Sequence, residues 1–265
     1  SVEGIVKEVK KAISNGFSEI TLLGQNVNSY NYNDEKFPGL LDAVAKVDGV
    51  KRIRYTSPHP QDINEDLLDV MAKHDNICNY IHLPLQAGSN RILRRMNRTY
   101  TKEAFIELAE KIRTFLPGVG ISTDIIVGFP GETEEEFNET LEVMREVEFD
   151  SAFTFKYSPR KGTKAIEYDS HLDEEEKQRR LNEVIRLQKD STASRNQSYI
   201  NNVVDVLIEK KSKRNENKWA GRTESNKWVI FNRLDSNIND IVPVLITESK
   251  GITLYGEITK KVKVA

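Results

Sequence analysis

The feature that most constrains this chain is a change of hydrophobic period near residue 200. Before about residue 170, short apolar runs alternate with amphipathic stretches, the trace that parallel strands joined by helices leave in a sequence. Strands are expected at 19–23, 52–56, 80–85, 120–127 and 151–157. Between them Val2, Ile5, Val6, Val9 and Ile13 recur at helical spacing and stop at Gly16, a natural helix terminator. Further helices are read after Asn64 (Leu67, Leu68, Met71) and after Thr101 (Phe105, Leu108, Ile112). Thr133 with Glu136 forms a capping box, and Asp173 with Glu176 a weaker one. The helix after Asp173 carries Leu181, Val184 and Ile185 on one stripe, is otherwise highly charged, and reads as a connector reaching about residue 198. Beyond it the period falls to two: Val204, Val206, Ile208, then Trp228, Ile230, then Val242, Val244, Ile246, then Ile252, Leu254, with turns at 225–226 and 250–251. The expected organisation is an α/β unit over 1–198 and a small all-β barrel over 199–265.

Charge and cysteine content narrow the chemistry. The net charge of −2 gives no chain-wide basic field, yet residues 199–265 hold 12 Lys and Arg against 8 Asp and Glu, leaving −6 for the remainder. Affinity for nucleic acid must therefore be local to the C-terminal end. No run approaches the ~18 apolar residues that span a bilayer, so no membrane partner is expected. A single cysteine, Cys78, excludes an internal disulfide and any multi-cysteine metal site within these residues. The first residue is Ser1 and no leader pattern follows, so the chain reads as a piece of something longer; a cytoplasmic location and a monomeric state are further expectations.

Loops at the C-terminal ends of parallel strands are where such folds build sites. Here they are amide- and hydroxyl-rich: Gly24-Gln25-Asn26-Val27-Asn28, Ser57-Pro58-His59-Pro60, Gln86-Ala87-Gly88-Ser89-Asn90 and Gly128-Phe129-Pro130-Gly131-Glu132-Thr133. Such groups hydrogen-bond a polar organic ligand without supplying a nucleophile, although the same residues also dominate ordinary turns. No phosphate-loop or dinucleotide spacing occurs. His59, His74, His82 and His171 are scattered; His82, inside an apolar run, reads as a satisfied core histidine and Cys78 as a buried bystander. Basic groups gather at Arg91, Arg94, Arg95 and Arg98, and in the β module at Lys210, Lys211, Lys213, Arg214, Lys218, Arg222, Lys227 and Arg233, interleaved with Trp219, Trp228 and Phe231. Cations neutralise phosphate and aromatic rings stack on unpaired bases, so the seven cations from Lys210 to Lys227 are the candidate RNA-binding set; a solvated barrel surface over core tryptophans is the plain alternative.

Three segments carry a resemblance: Thr21-Leu-Leu-Gly-Gln-Asn-Val-Asn-Ser-Tyr30, the run from Ile81-His-Leu-Pro-Leu-Gln86 through Thr101, and Ser122-Thr-Asp-Ile-Ile-Val-Gly-Phe-Pro-Gly-Glu-Thr133. Together they resemble the radical S-adenosylmethionine methylthiotransferases, and more the branch acting on isopentenylated tRNA than the branch acting on an aspartate of a small-subunit ribosomal protein. Gly221-Arg-Thr-Glu-Ser-Asn-Lys227 and Leu254-Tyr-Gly-Glu257 resemble that family's RNA-binding TRAM domain. The resemblance implies a partial, open (βα) barrel of six strands, lacking its first strand, followed by a small OB-like β barrel. It implies S-adenosylmethionine and two 4Fe-4S clusters as cofactors of the full-length family, with an anticodon stem-loop and an electron donor as partners. It places Gly24, Gln25 and Asn26 at the methionine amino group, Ser57 and Gln86 at ribose or carboxylate, and Ile126, Val127 and Gly128 against adenine. Ala87 and Lys161 depart from the family's frequent Ser and Pro.

The family's C-x-x-x-C-x-x-C loop and its auxiliary three-cysteine domain have no counterpart here, so the resemblance implies that the chain alone is inactive. In the complete family the deoxyadenosyl radical takes hydrogen from the 2-position of the adenine and a methylated sulfur is inserted. Competing expectations are the ribosomal-protein methylthiotransferase, a stand-alone RNA-binding module, and a cluster-free barrel enzyme acting on a small metabolite. Beside residues 21–23 the truncated sheet is expected to expose an edge, an association hazard.

Overall fold

The computed structural model describes residues 1–56 and 58–259. Its first unit runs α1 (Val2–Ser14), β1 (Glu19–Leu22), a small hairpin β2 (Asn31–Tyr32) and β3 (Glu35–Lys36), α2 (Phe37–Ala45), β4 (Arg52–Tyr55), α3 (Glu65–Lys73) and β5 (Tyr80–His82). It continues through α4 (Asn90–Arg95), α5 (Lys102–Phe115), β6 (Gly120–Val127), α6 (Glu134–Val147), β7 (Ser151–Lys156) and α7 (Glu174–Gln197). The five expected strands all form. Capping works as the sequence suggests: Asn64, Thr101, Thr133 and Asp173 each accept a backbone N–H of the following turn, and the Thr133–Glu136 capping box closes reciprocally.

β1 and β4 pair in parallel, Glu19 opposite Arg52 and Leu22 opposite Tyr55. The ladder passes to the next strand through Ile53, whose N–H donates to Asn76 O (2.7 Å) and whose carbonyl accepts from Cys78 N (2.9 Å). β5, β6 and β7 continue it in parallel. Parallel strands need their two faces covered differently from an antiparallel meander. One face is packed by helices, burying Ile53, Tyr55, Ile81, Ile121, Ile125 and Val127 among Phe37, Leu68, Phe105 and Phe137. The opposite face, carrying Arg52, Arg54, Tyr80, His82, Asp124, Ile126, Phe153 and Phe155 at period two, forms an open trough. His82 is therefore half-buried in the trough wall; the expectation of a core histidine holds for its satisfied ring nitrogens, not its location.

The second unit is a closed barrel of β8 (Val203–Ser212), β9 (Asn215–Arg222), β10 (Trp228–Asn232), β11 (Ile241–Lys250) and β12 (Thr253–Ile258), ordered β10-β12-β11-β8-β9 and closed by β9 on β10. Its core is Val206, Ile208, Trp219, Val229, Phe231, Val244, Ile246 and Leu254. β9 gave no apolar alternation because its first half, Asn215–Lys218, faces solvent.

α7 is more than a connector. Its buried face reads Lys177, Arg180, Val184, Gln188, Thr192, Asn196, mostly polar yet paired along its length. Arg180 reaches Glu132 (2.9 Å) and Thr133 O (3.3 Å); Gln188 and Thr192 donate to Phe149 O and Asp150 O; Asn196 donates to Gly251 O (3.1 Å).

The barrel docks beneath the N-terminal ends of the parallel strands. Arg52 donates to the carbonyls of Arg222 and Asp205, and Arg54 to those of Thr223 and Glu224 while pairing with Glu19 (3.0 Å). Burial lowers the Arg52 pKa. Lys227, 6% exposed, pairs with Asp150 at 2.8 Å; Asp150 also accepts from Ile121 N (2.9 Å). Replacing Asp150 by Ala strands the Lys227 ammonium between the units. A loss of about 3–5 kcal/mol is expected in urea unfolding, and Asp150→Ala combined with Lys227→Met should recover much of it.

Candidate functional site

The C-terminal ends of β1, β4, β5 and β6 form one rim of the trough. Adjacent strands are ~4.8 Å apart, so Gly24–Asn26 at one end and Gly128 at the other span roughly 15 Å. Gly24, Gln25 and Asn26 are exposed; Val27 and Asn28 turn inward. Asn28 Nδ2 donates to His59 O (2.9 Å) and accepts His59 N–H on Oδ1 (2.7 Å), tying the first rim loop to the second. Ser57, in that second loop, lies outside the described residues.

Gln86 is buried and holds φ of +71°, a left-handed conformation that a non-glycine adopts at a cost of order 1–3 kcal/mol. Its backbone is pinned from both sides: its N–H donates to Asp124 O (2.8 Å) and its carbonyl accepts from Ile126 N (2.9 Å). Ile126 projects into the trough. Val127, fully buried, points into the helix layer, so only its backbone is available to a ligand.

The fourth loop is locked from behind. Gly128, at φ +72°, donates its N–H to Glu132 Oε2 (2.7 Å), and a Cβ there would meet Lys177 Cγ at 2.5 Å. Burial pushes the Glu132 carboxyl up in pKa despite the Gly128 N–H and Arg180. The third loop rests on α6: Gly88 N–H donates to Thr140 Oγ1 (2.8 Å), and a Cβ at Gly88 would lie 2.4 Å from Thr140 Cα. Gly88 and Ser89 are thus positioning residues, Ser89 Oγ donating to Glu136 (3.1 Å).

The arginine cluster splits by face. Arg91 grips Glu136 with Nε and Nη2, both at 2.6 Å, and Arg95 lies 4.2 Å over the Tyr168 ring; Arg94 stays exposed and Arg98 half-buried. In the β module Lys210, Lys211, Lys213 and Arg214 are exposed on the β8–β9 hairpin and Lys218 is half-buried. Arg222 is held by Glu209 (2.5 Å) and Glu19 (3.2 Å), and Lys227 faces Asp150, so these two charges serve the junction between units. Trp219 is core, donating to Ser236 Oγ (3.0 Å); Trp228 is half-buried under Lys210, 4.5 Å from its ring.

A cleft of about 600 Å³ lies between the units, lined by Asn79, Asn202, Asp205 and Glu224 among others. Carboxylates in its wall suit it poorly to phosphate. For iron the residues do not fit: Cys78 is buried at the underside with its thiol pushed up to about 11 by burial, and no group of three His, Cys, Asp or Glu residues suited to a metal occurs among the described residues. No helix among them is long and apolar enough to cross a membrane.

The architecture is an open run of five parallel strands covered by helices on one face, followed by a closed five-stranded barrel. The chain belongs to the radical SAM superfamily, whose family description matches residues 1–144, and residues 197–259 match the TRAM domain. Over 96% of its length it is 47% identical to the tRNA-2-methylthio-N(6)-dimethylallyladenosine synthase of Carboxydothermus hydrogenoformans, and over 98% it is 46% identical to that of Alkaliphilus oremlandii. It spans 58% and 56% of those relatives. The solved coproporphyrinogen III oxidase of Escherichia coli, a radical SAM enzyme, shares the fold at a TM-score of 0.52 and 13% identity, over 84% of this chain and 60% of that one.

The rim's mechanical support has a pH signature. Burial works to raise the Glu136 carboxyl, but Arg91, Thr133 N–H and Ser89 outweigh it and hold it at about 2 against 4.5. A depressed carboxylate stabilises above its unfolded pKa and loses that contribution as pH falls through its folded one. Resistance of the protein to urea should therefore fall as pH drops from about 4.5 to 2, and Glu136→Gln should show a shallower slope in that window.

Proposed function

We propose that these residues form the S-adenosylmethionine-binding barrel and RNA-binding module of a cytoplasmic tRNA methylthiotransferase. In this reading it adds a methylthio group to N6-isopentenyladenosine beside the anticodon. The observation that carries the reading is the 47% identity to a relative bearing that name, running through both the rim loops and the β module. Gly24, Gln25 and Asn26 are assigned to the methionine end of the cofactor, Gln86 to its ribose or carboxylate, and Ile126 with the Val127 backbone and Gly128 to its adenine. Held there, S-adenosylmethionine would supply radical chemistry on one-electron reduction by an electron donor. The chain's own residues orient it and exclude water, with Glu132 and Arg180 stiffening the adenine loop.

The cluster ligands come, in this reading, from outside these residues, so the chain alone is catalytically silent. Lys210, Lys211, Lys213, Arg214 and Lys218 are assigned to phosphates of an anticodon stem-loop, bound by a monomeric protein. Because the β module docks at the strand N-termini while the cofactor loops lie at the C-termini, the RNA runs along the barrel's open flank to reach both.

Two measurements test this. A chimera carrying these residues in place of the matching segment of the Carboxydothermus relative should form the methylthio nucleoside in tRNA; modification of a ribosomal-protein aspartate instead would transfer the assignment to that reaction. Second, fluorescence anisotropy with a labelled anticodon stem-loop should show affinity falling steeply with salt. Lys211→Ala and Lys213→Ala should each reduce the salt slope by about 1. Salt-independent binding, or none at low ionic strength, rejects the RNA role.

A further inference from the structure

Midway between rim and floor the trough carries a patch to which no role has so far been given. Tyr80 OH lies 2.5 Å from Ser122 Oγ, Ser122 Oγ 2.8 Å from His82 Nδ1, and His82 Nε2 3.2 Å from Asp124 Oδ2. With a neutral imidazole the chain runs one way: Tyr80 donates to Ser122, Ser122 to His82 Nδ1, and His82 Nε2–H to Asp124. The last acceptor is thereby fixed. Asp124 keeps its other carboxylate oxygen free of protein donors among the described residues, and the side chain is 28% exposed.

Beside it stand two phenylalanines in water. The β6–β7 register puts Phe153 opposite Asp124 and Phe155 opposite Ile126, and they are 57% and 52% exposed. Phe153 meets the His82 ring edge-on at 5.9 Å. Large exposed aromatics next to a preoriented acceptor mark a ligand wall rather than a solvated face. Asp124 repels phosphate, so a nucleotide would present only its base here. Its position sets the depth: Asp124 lies two residues below Ile126 on the same face of β6, roughly 6–7 Å from the loop assigned to the cofactor.

An acceptor with two open rings along one side suits a flat base that has one N–H on an exocyclic nitrogen and an apolar chain on the same atom. We propose that Asp124, Phe153 and Phe155 are the residues that recognise the alkylated adenine, an assignment that rests on the proposed tRNA reading. Asp124 accepts the N6–H, the two rings cover the apolar chain, and His82, Ser122 and Tyr80 are positioning residues that hold the carboxylate.

The test uses this chain with labelled anticodon stem-loops whose target adenine is unmodified, N6-isopentenylated, or N6-isopentenylated and N6-methylated so that the N–H is gone. The unsubstituted protein should prefer the isopentenylated loop by about tenfold or more, the range set by a small apolar group in a pocket. Phe153→Ala with Phe155→Ala should bring that preference near unity with the fold intact by circular dichroism, since both rings are solvent-exposed. Asp124→Leu should abolish discrimination against the methylated loop.

Equal binding of all three loops by the unsubstituted protein, or a preference surviving the double phenylalanine change, overturns the assignment and leaves the RNA reading standing. If no loop binds, the tRNA reading fails, and ligand-observed NMR with free N6-isopentenyladenosine decides the patch separately. Binding lost in the double variant supports it; no binding overturns it.

Discussion

Two guanidinium groups on one short strand organise the molecule. Arg52 and Arg54 project from β4 to the trough side, where burial makes an uncompensated charge expensive, and their partners include four backbone carbonyls of the β module. Neither unit satisfies them by itself. The docked turn that supplies Thr223 and Glu224 also lies against the start of β6, where a Cβ on Gly120 would meet Ser225 O at 2.6 Å. Asp150 and Lys227 repeat the logic at the far side of the sheet, a buried pair whose members come from different units.

Much of the α/β framework was legible because its signals are local. Asn64, Thr101, Thr133 and Asp173 announce helix starts through hydrogen bonds made within one turn, and the strands announce themselves as short apolar runs. What escaped was whatever depends on partners distant in sequence. α7 looked like a solvated connector because Lys177, Arg180, Gln188 and Asn196 are polar; that they are buried follows only from carbonyls and carboxylates arriving from elsewhere. β9 escaped because half its length faces water, and the Arg-Ile-Arg-Tyr run of β4 hid its alternating charges inside an apolar reading.

The site shows the same division. The amide- and hydroxyl-rich tips could be named from sequence, since parallel strands deliver their C-terminal ends to one rim. Which atoms are free could not. Period two turns Ile126 toward the trough and Val127 away from it, and only the assembled protein shows Lys227 spent on Asp150 while Lys211 and Lys213 remain in solvent. The left-handed Gln86 had no signal at all, because the residue type does not betray the conformation.

A single unbroken helix ties the Gly128–Thr133 loop at one end to the β module at the other. Its 24 residues, at 1.5 Å each, make a rod of about 36 Å that does not stretch. In the proposed tRNA reading, a nucleic acid gripped by the basic hairpin is thus offered up against a gauge of fixed length, and a strand too short for that gauge leaves its base outside the barrel whatever letters it spells.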